Sequence, residues 1–104
     1  MQNIKFSYLY RDGSNYKNYG HIIFANPNNN SIEELKAIIR SKLIDDTWFY
    51  ANEWYLPHLR FANLDIDNDP TWHEFESIEY TKERPYTLID LTELIIGIKK
   101  DQLV

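Results

Sequence analysis

Two stretches of this chain gather residue types that could do chemistry. The first is Asp65-Ile-Asp67-Asn-Asp69-Pro70-Thr71-Trp72-His73-Glu74-Phe75-Glu76. Carboxylates at this density could hold a divalent cation, and a histidine beside them could move a proton. Aspartates fall at positions 1, 3 and 5 of a calcium-loop template, and Glu76 falls at position 12. Position 6, however, is Pro70, where that loop needs glycine for a sharp turn, and the flank Arg60-Phe61-Ala62 reads as extended rather than helical. An acidic turn is therefore expected there and calcium binding is not. What survives is an alternative in which Asp67, Asp69, His73 and Glu74 serve a small metal-assisted hydrolase or nuclease-like enzyme. Convergence of those four side chains in a cleft decides it.

The second stretch runs from Tyr10 to Gly20. Around one loop it places Arg11 and Lys17, several amides, and the rings of Tyr10, Tyr16 and Tyr19. Aromatic and arginine side chains are enriched at interface hot spots. Rings can also stack the bases of single-stranded nucleic acid. A purely structural role is open too, with Tyr10 and Tyr19 packing a sheet edge and Arg11 paired with Asp12. Tyr16 stands apart, because no core position in so polar a loop demands a ring. Arg11, Tyr16 and Lys17, with Tyr10 and Asp12 beside them, are the candidate binding residues.

Other chemistries find little footing. His21, His58 and His73 make no zinc spacing. No serine sits in a glycine-flanked elbow. Gly13, Gly20 and Gly97 are the only glycines, so there is no phosphate-binding loop, and the lack of cysteine removes disulfides and thiol catalysis together. No catalytic residue, cofactor or resident metal is expected. The more strongly supported reading is a non-enzymatic protein-interaction module that meets a protein partner through the loop of Arg11, Tyr16 and Lys17 and through the tryptophan-rich 48–55 segment.

The charge bears on the partner. The formal net charge is -5, and six carboxylates lie between Phe61 and Thr81 with no lysine or arginine among them. Such acidity opposes binding to phosphate backbones, so a protein partner is expected and nucleic acid is disfavoured. The acidic stretch is either a solvated edge or a patch that meets a basic partner. No apolar run reaches the roughly 20 residues that cross a bilayer. The first residues lack the basic and apolar regions of a signal peptide. Cytoplasmic location and a monomer or homodimer are the expectations.

The elements that must position these residues follow from pattern. Eight tyrosines, five phenylalanines and three tryptophans in 104 residues supply a core with rings to spare. Residues 3–11 alternate, Ile4, Phe6, Tyr8 and Tyr10 facing one way. Residues 19–25 read as a second strand. Asp12-Gly13 invites a tight hairpin, but a longer loop over 12–18 sets Phe6 opposite Phe24 and Tyr8 opposite Ile22, which makes one apolar face. Ser31 with Glu34 three residues on is a capping box. It opens a helix to about Leu43 along Ile32, Leu35, Ile38, Ile39 and Leu43. A strand is expected at 48–51, an optional short one near 59–62, and another from Trp72 to Tyr80. A bulge is expected in the last, because Phe75 and Ile78 fall on opposite parities. Asp90 caps a final helix carrying Leu91, Leu94, Ile95 and Ile98, with Lys99 and Lys100 at its end; Gly97 leaves a strand at 93–98 open.

Together these give one α+β domain over 1–104, a mainly antiparallel sheet of four or five strands packed with two helices in the order β-β-α-β-β-α. The combination Tyr10-Arg11-Asp12, Asn15-Tyr16-Lys17, Gly20, Phe24-Ala25-Asn26-Pro27, the helix from Ser31 to Ile44, Leu56-Pro57 and Trp72-His73-Glu74-Phe75-Glu76-Ser77-Ile78 resembles a group of small uncharacterised bacterial proteins. The resemblance covers roughly residues 4–80. It implies no activity and no site residue.

Overall fold

The computed structural model describes residues 2–62, 65 and 67–98. The alternating segment forms β1 (Asn3–Arg11), which runs through the middle of a five-stranded sheet. Its partners are β2 (Lys17–Ala25) on one side and β4 (His73–Thr81) on the other, both antiparallel. The two-residue β3 (Trp48–Phe49) closes the edge beyond β4, and β5 (Thr87–Asp90) lies parallel to β2 at the opposite edge. Helices α1 (Ile32–Lys42) and α2 (Leu91–Ile96) complete a small α+β fold.

The hairpin register differs from the expected one. Phe6 faces Ile22, Ile4 faces Phe24 and Tyr8 faces Gly20. The apolar face is continuous, as anticipated, but the strands are slipped by two residues and the loop shortens to 12–16. Gly20 supplies the reason. A Cβ built there would lie 2.8 Å from Cδ2 of Leu59, so the missing side chain is the seat on which Leu59 packs. In β4 the bulge is present: Ser77 faces Ser7 and Phe75 faces Tyr8, leaving Glu76 as the extra residue. Phe75 and Ile78 thereby reach the same core despite their opposite parities.

Helix α1 starts at its box. Ser31 Oγ accepts the Glu34 N–H at 3.2 Å, and Glu33 and Glu34 at the start with Arg40 and Lys42 at the end match the helix dipole. Leu35 and Ile39 bury completely against the sheet. The Asn-rich turn before it is more than a connection. Buried Asn26 accepts the Asn30 N–H at 3.0 Å, and Asn28 donates to Asp90 at 3.1 Å. Asp90 in turn caps α2 through the Thr92 N–H at 2.8 Å. The final helix is thus real but short, and Lys99 and Lys100, expected at its end, lie outside the described residues.

Two expected strands fall away or shrink. Residues 59–62 form no strand, and 48–51 contracts to Trp48–Phe49 before a run of turns. One strand, β5, appears after the Arg84-Pro85 break, just ahead of the final helix, where no element was expected. The core joins the sheet residues Ile4, Phe6, Tyr8, Phe24 and Ile78 to the helices and to Phe49 and Trp54. Phe6 sits at its centre, with the rings of Tyr8, Phe24, Phe49, Trp54 and Phe75 at centroid distances of 5.3–6.2 Å.

Candidate functional site

The β1–β2 loop is held rigidly by its own aspartate. Asp12 Oδ1 accepts the N–H groups of Ser14 and Tyr16, each at 2.9 Å, while Asp12 N–H donates to Tyr16 O at 3.0 Å. Asn15 takes the left-handed conformation that closes the turn, with φ of 69°. Carboxylate capping of successive backbone donors freezes a loop that would otherwise be mobile.

A second loop is bolted to the first. Gly13 N–H donates to Asp69 Oδ1 at 2.7 Å, and Tyr10 hydroxyl donates to Pro70 O at 2.7 Å. Any Cβ at Gly13 would lie 2.4 Å from Asn68 O, so only glycine allows this approach. Asp65 organises the acidic loop from within: hydrogen bonds from the Asn68 side chain and the Asp67 N–H hold its carboxyl below the usual carboxylate range. Its N–H donates to Asp69 Oδ2 at 2.8 Å.

Between the two loops and the β3 edge opens a cleft of about 720 Å³. Its walls include the half-buried indoles of Trp48 and Trp72, with Arg11, Glu74, Asp67 and Asp69. Arg11 does not pair with Asp12. Its guanidinium grips Glu74 with two bonds, Nε to Oε2 at 2.7 Å and Nη2 to Oε1 at 3.2 Å, and also donates to Asn15 Oδ1. The planar fork available to a partner's carboxylate is therefore already engaged. Tyr10 is fully buried and positions the loop. Of the candidate binding residues, Tyr16 and Lys17 are the ones left open to solvent, Tyr16 at 70 % of its surface.

The four residues considered for a hydrolase are divided, not gathered. Consecutive residues on a strand point to opposite faces. Glu74 therefore turns into the cleft with Asp67 and Asp69, while His73 turns into the core. Among the described residues no group of three or more His, Asp or Glu side chains is placed to hold a metal ion. His73 lies against the rings of Tyr8, Tyr10 and Phe49. Its Nε2 accepts the Leu59 N–H at 2.9 Å. Burial, with a smaller push from Arg60 and His58, lowers its pKa to about 4, so the ring is neutral at physiological pH.

Trp48 belongs to the tryptophan-rich 48–55 segment expected to meet a partner; Trp72 and Gly13 are the site residues that sequence reasoning did not select. The two indoles lie far apart in sequence and line one cleft because β3 pairs with β4, so no local signal could have joined them. Gly13 was visible only as a turn residue. No family model, curated protein or solved structure matches the chain. No helix among the described residues is long and apolar enough to cross a membrane.

Proposed function

We propose that the protein is a non-enzymatic interaction module, acting in the cytoplasm, that contacts a protein partner through the β1–β2 loop and the adjoining cleft. The observation that carries this reading is Tyr16. Its ring is 70 % exposed on a loop whose backbone is locked by Asp12. A rigid loop presenting an amphipathic ring loses little entropy on binding. Beside it the cleft offers two indoles, and its lining carries Asp12, Asp67, Asp69 and Glu74 against Arg11 alone. That balance favours a basic segment on the partner, since a cation over an indole face is attracted by the ring as well as by the carboxylates. Nucleic acid fits poorly with the same charges.

The test compares partners retained by the wild type with those retained by a Tyr16→Ala/Lys17→Ala double variant. Both side chains are exposed, so the variant should fold normally by circular dichroism. The expected result is loss of a specific partner. Undiminished capture of the same partners would remove this surface from consideration.

A further inference from the structure

The sheet has one long, regular edge with no neighbour. β5 pairs only with Phe24 and Ala25 of β2, so from Lys17 to Ile22 no strand lies outside β2. In an antiparallel ladder successive residues turn their N–H and C=O groups alternately toward the neighbouring strand and away from it. Ile23 turns its carbonyl away from β1, since Tyr86 N–H donates to it there at 2.8 Å. The register is unbroken from Lys17 to Phe24, so Lys17, Tyr19 and His21 turn theirs outward as well. Among the described residues nothing pairs with those outward groups. β3 likewise covers only His73 and Glu74 of β4, but the rest of that edge is guarded by the bulge at Glu76 and by exposed Glu79, devices that deter a second strand.

We infer that two copies of this chain pair their β2 edges antiparallel about Tyr19, each lodging its Tyr16 ring in a pocket of the other. The bare stretch is symmetric about that residue. Tyr19 then faces Tyr19 of the other copy, and Lys17, the one charge on this edge, faces the other copy's His21 at the end of the paired stretch. Each outward residue exchanges its N–H and C=O with the residue opposite. The two Tyr19 rings, exposed in the single chain, become a cross-strand aromatic pair.

The same register carries Tyr16 opposite Ile22 of the other copy. Asp12 N–H donates to Tyr16 O at 3.0 Å, so Tyr16 continues the line of β2, and its parity puts it on the face of Ile22 and Phe24. On that face opens a pocket of about 220 Å³, walled by Ile22, Phe24, Leu56 and Pro57 and rimmed by exposed Tyr55 and Tyr86. An apolar cavity of about 150 Å³ holds a benzene ring, so this one has room for a phenol. Thr87, also in its wall, accepts the Ile89 N–H and keeps its own hydroxyl proton for the phenol oxygen. The turn over 13–15 leads the entering chain back toward its own β1 and away from Tyr86. The inference rests on the reading of the β1–β2 loop as a contact surface and names a second copy as a partner it meets. The indole-lined cleft, on the β4 side of the loop, stays open.

Sedimentation equilibrium up to about 100 µM chain tests it. The expected result is a particle of twice the chain mass. Tyr19→Pro removes only an outward N–H and leaves the ladder to β1 intact, and it should be monomeric. Tyr16→Ala, at an exposed ring, should weaken dimerisation at least about tenfold. The chain has no cysteine, so an introduced one reports a single contact. With oxidised glutathione, Tyr19→Cys should cross-link to a dimer at least about tenfold faster than Glu79→Cys, because thiols held opposite each other react at high effective concentration. That comparison serves if the proline variant folds poorly. A monomeric wild type, a dimer untouched by Tyr16→Ala, or equal cross-linking at both positions would overturn the inference and leave the edge to another protein's strand or to water. A monomeric wild type that still captures a partner through the loop and cleft would sink this inference alone, and the interaction surface would stand.

Discussion

His73 and Glu74 are neighbours on one strand and belong to opposite chemistries. Glu74 faces an open cleft in which the chain meets its own polar groups. Arg11 grips Glu74, Asp69 takes backbone donors from Gly13 and Asp65, and Asp12 takes those of Ser14 and Tyr16. His73 turns among the rings of Tyr8, Tyr10 and Phe49, and its Nδ1 has no hydrogen-bond partner among the described residues. A surface whose polar groups hold one another is rigid and suits contact by shape, by ring and by its remaining negative charge. One β-strand separates the two, so changes can be aimed at either side.

The largest effect should come from the inner side. Phe6→Ala removes the ring that touches Tyr8, Phe24, Phe49, Trp54 and Phe75 at the centre of the core. A loss of about 3–5 kcal/mol in urea denaturation is expected. A loss below about 1 kcal/mol would mean the aromatic layer does not hold the two sides together.

Acidification should distinguish the sides next. Unfolded His73 titrates near the ordinary value of about 6.5, while burial holds the folded ring down to about 4. Above that window the ring is neutral in both states and contributes nothing. As pH falls through it, the unfolded chain binds a proton that the folded ring refuses, and stability drops by about 2–3 kcal/mol. Comparing urea midpoints of wild type and His73→Gln from pH 7 to pH 4 isolates this contribution, since carboxylate titrations are common to both. Parallel curves would show that the ring protonates freely in the fold.

The smallest effect belongs to the outer side. Arg11→Ala breaks a bidentate pair whose side chains are 38 % and 18 % exposed. Solvent screening makes this the smallest expected loss of the three, a slight shift of the denaturation midpoint. A midpoint shift as large as that of Phe6→Ala would make this pair part of the fold's foundation and not a finishing contact.

What was legible in the sequence was local. The Ser31/Glu34 box, the alternation of Ile4 to Tyr10 and the parity clash between Phe75 and Ile78 each record a constraint within a few residues. What was not legible depended on distant partners. β5 escaped because a four-residue strand running straight into a helix cap declares itself only by parallel pairing with β2. Residues 59–61 looked like a strand, but Leu59 gives its N–H to His73 and its carbonyl to the Asn18 side chain, not to a neighbouring strand. The hairpin register turned on Leu59 needing Gly20 beneath it. At the candidate site, the exposed Tyr16 could be read from composition alone. The engagement of Arg11 by Glu74, 63 residues away, could not.

The most direct measurement of the proposed surface uses the chain's own tryptophans. Trp54 is 2 % exposed in the core, whereas Trp48 and Trp72 line the cleft. Acrylamide quenching of the free protein should therefore report mainly on the cleft. With a partner retained by the wild type but lost by the Tyr16→Ala/Lys17→Ala variant, quenching should fall sharply, because the partner covers both accessible indoles. Unchanged quenching in the saturated complex would contradict the claim that this cleft and loop form the contact surface.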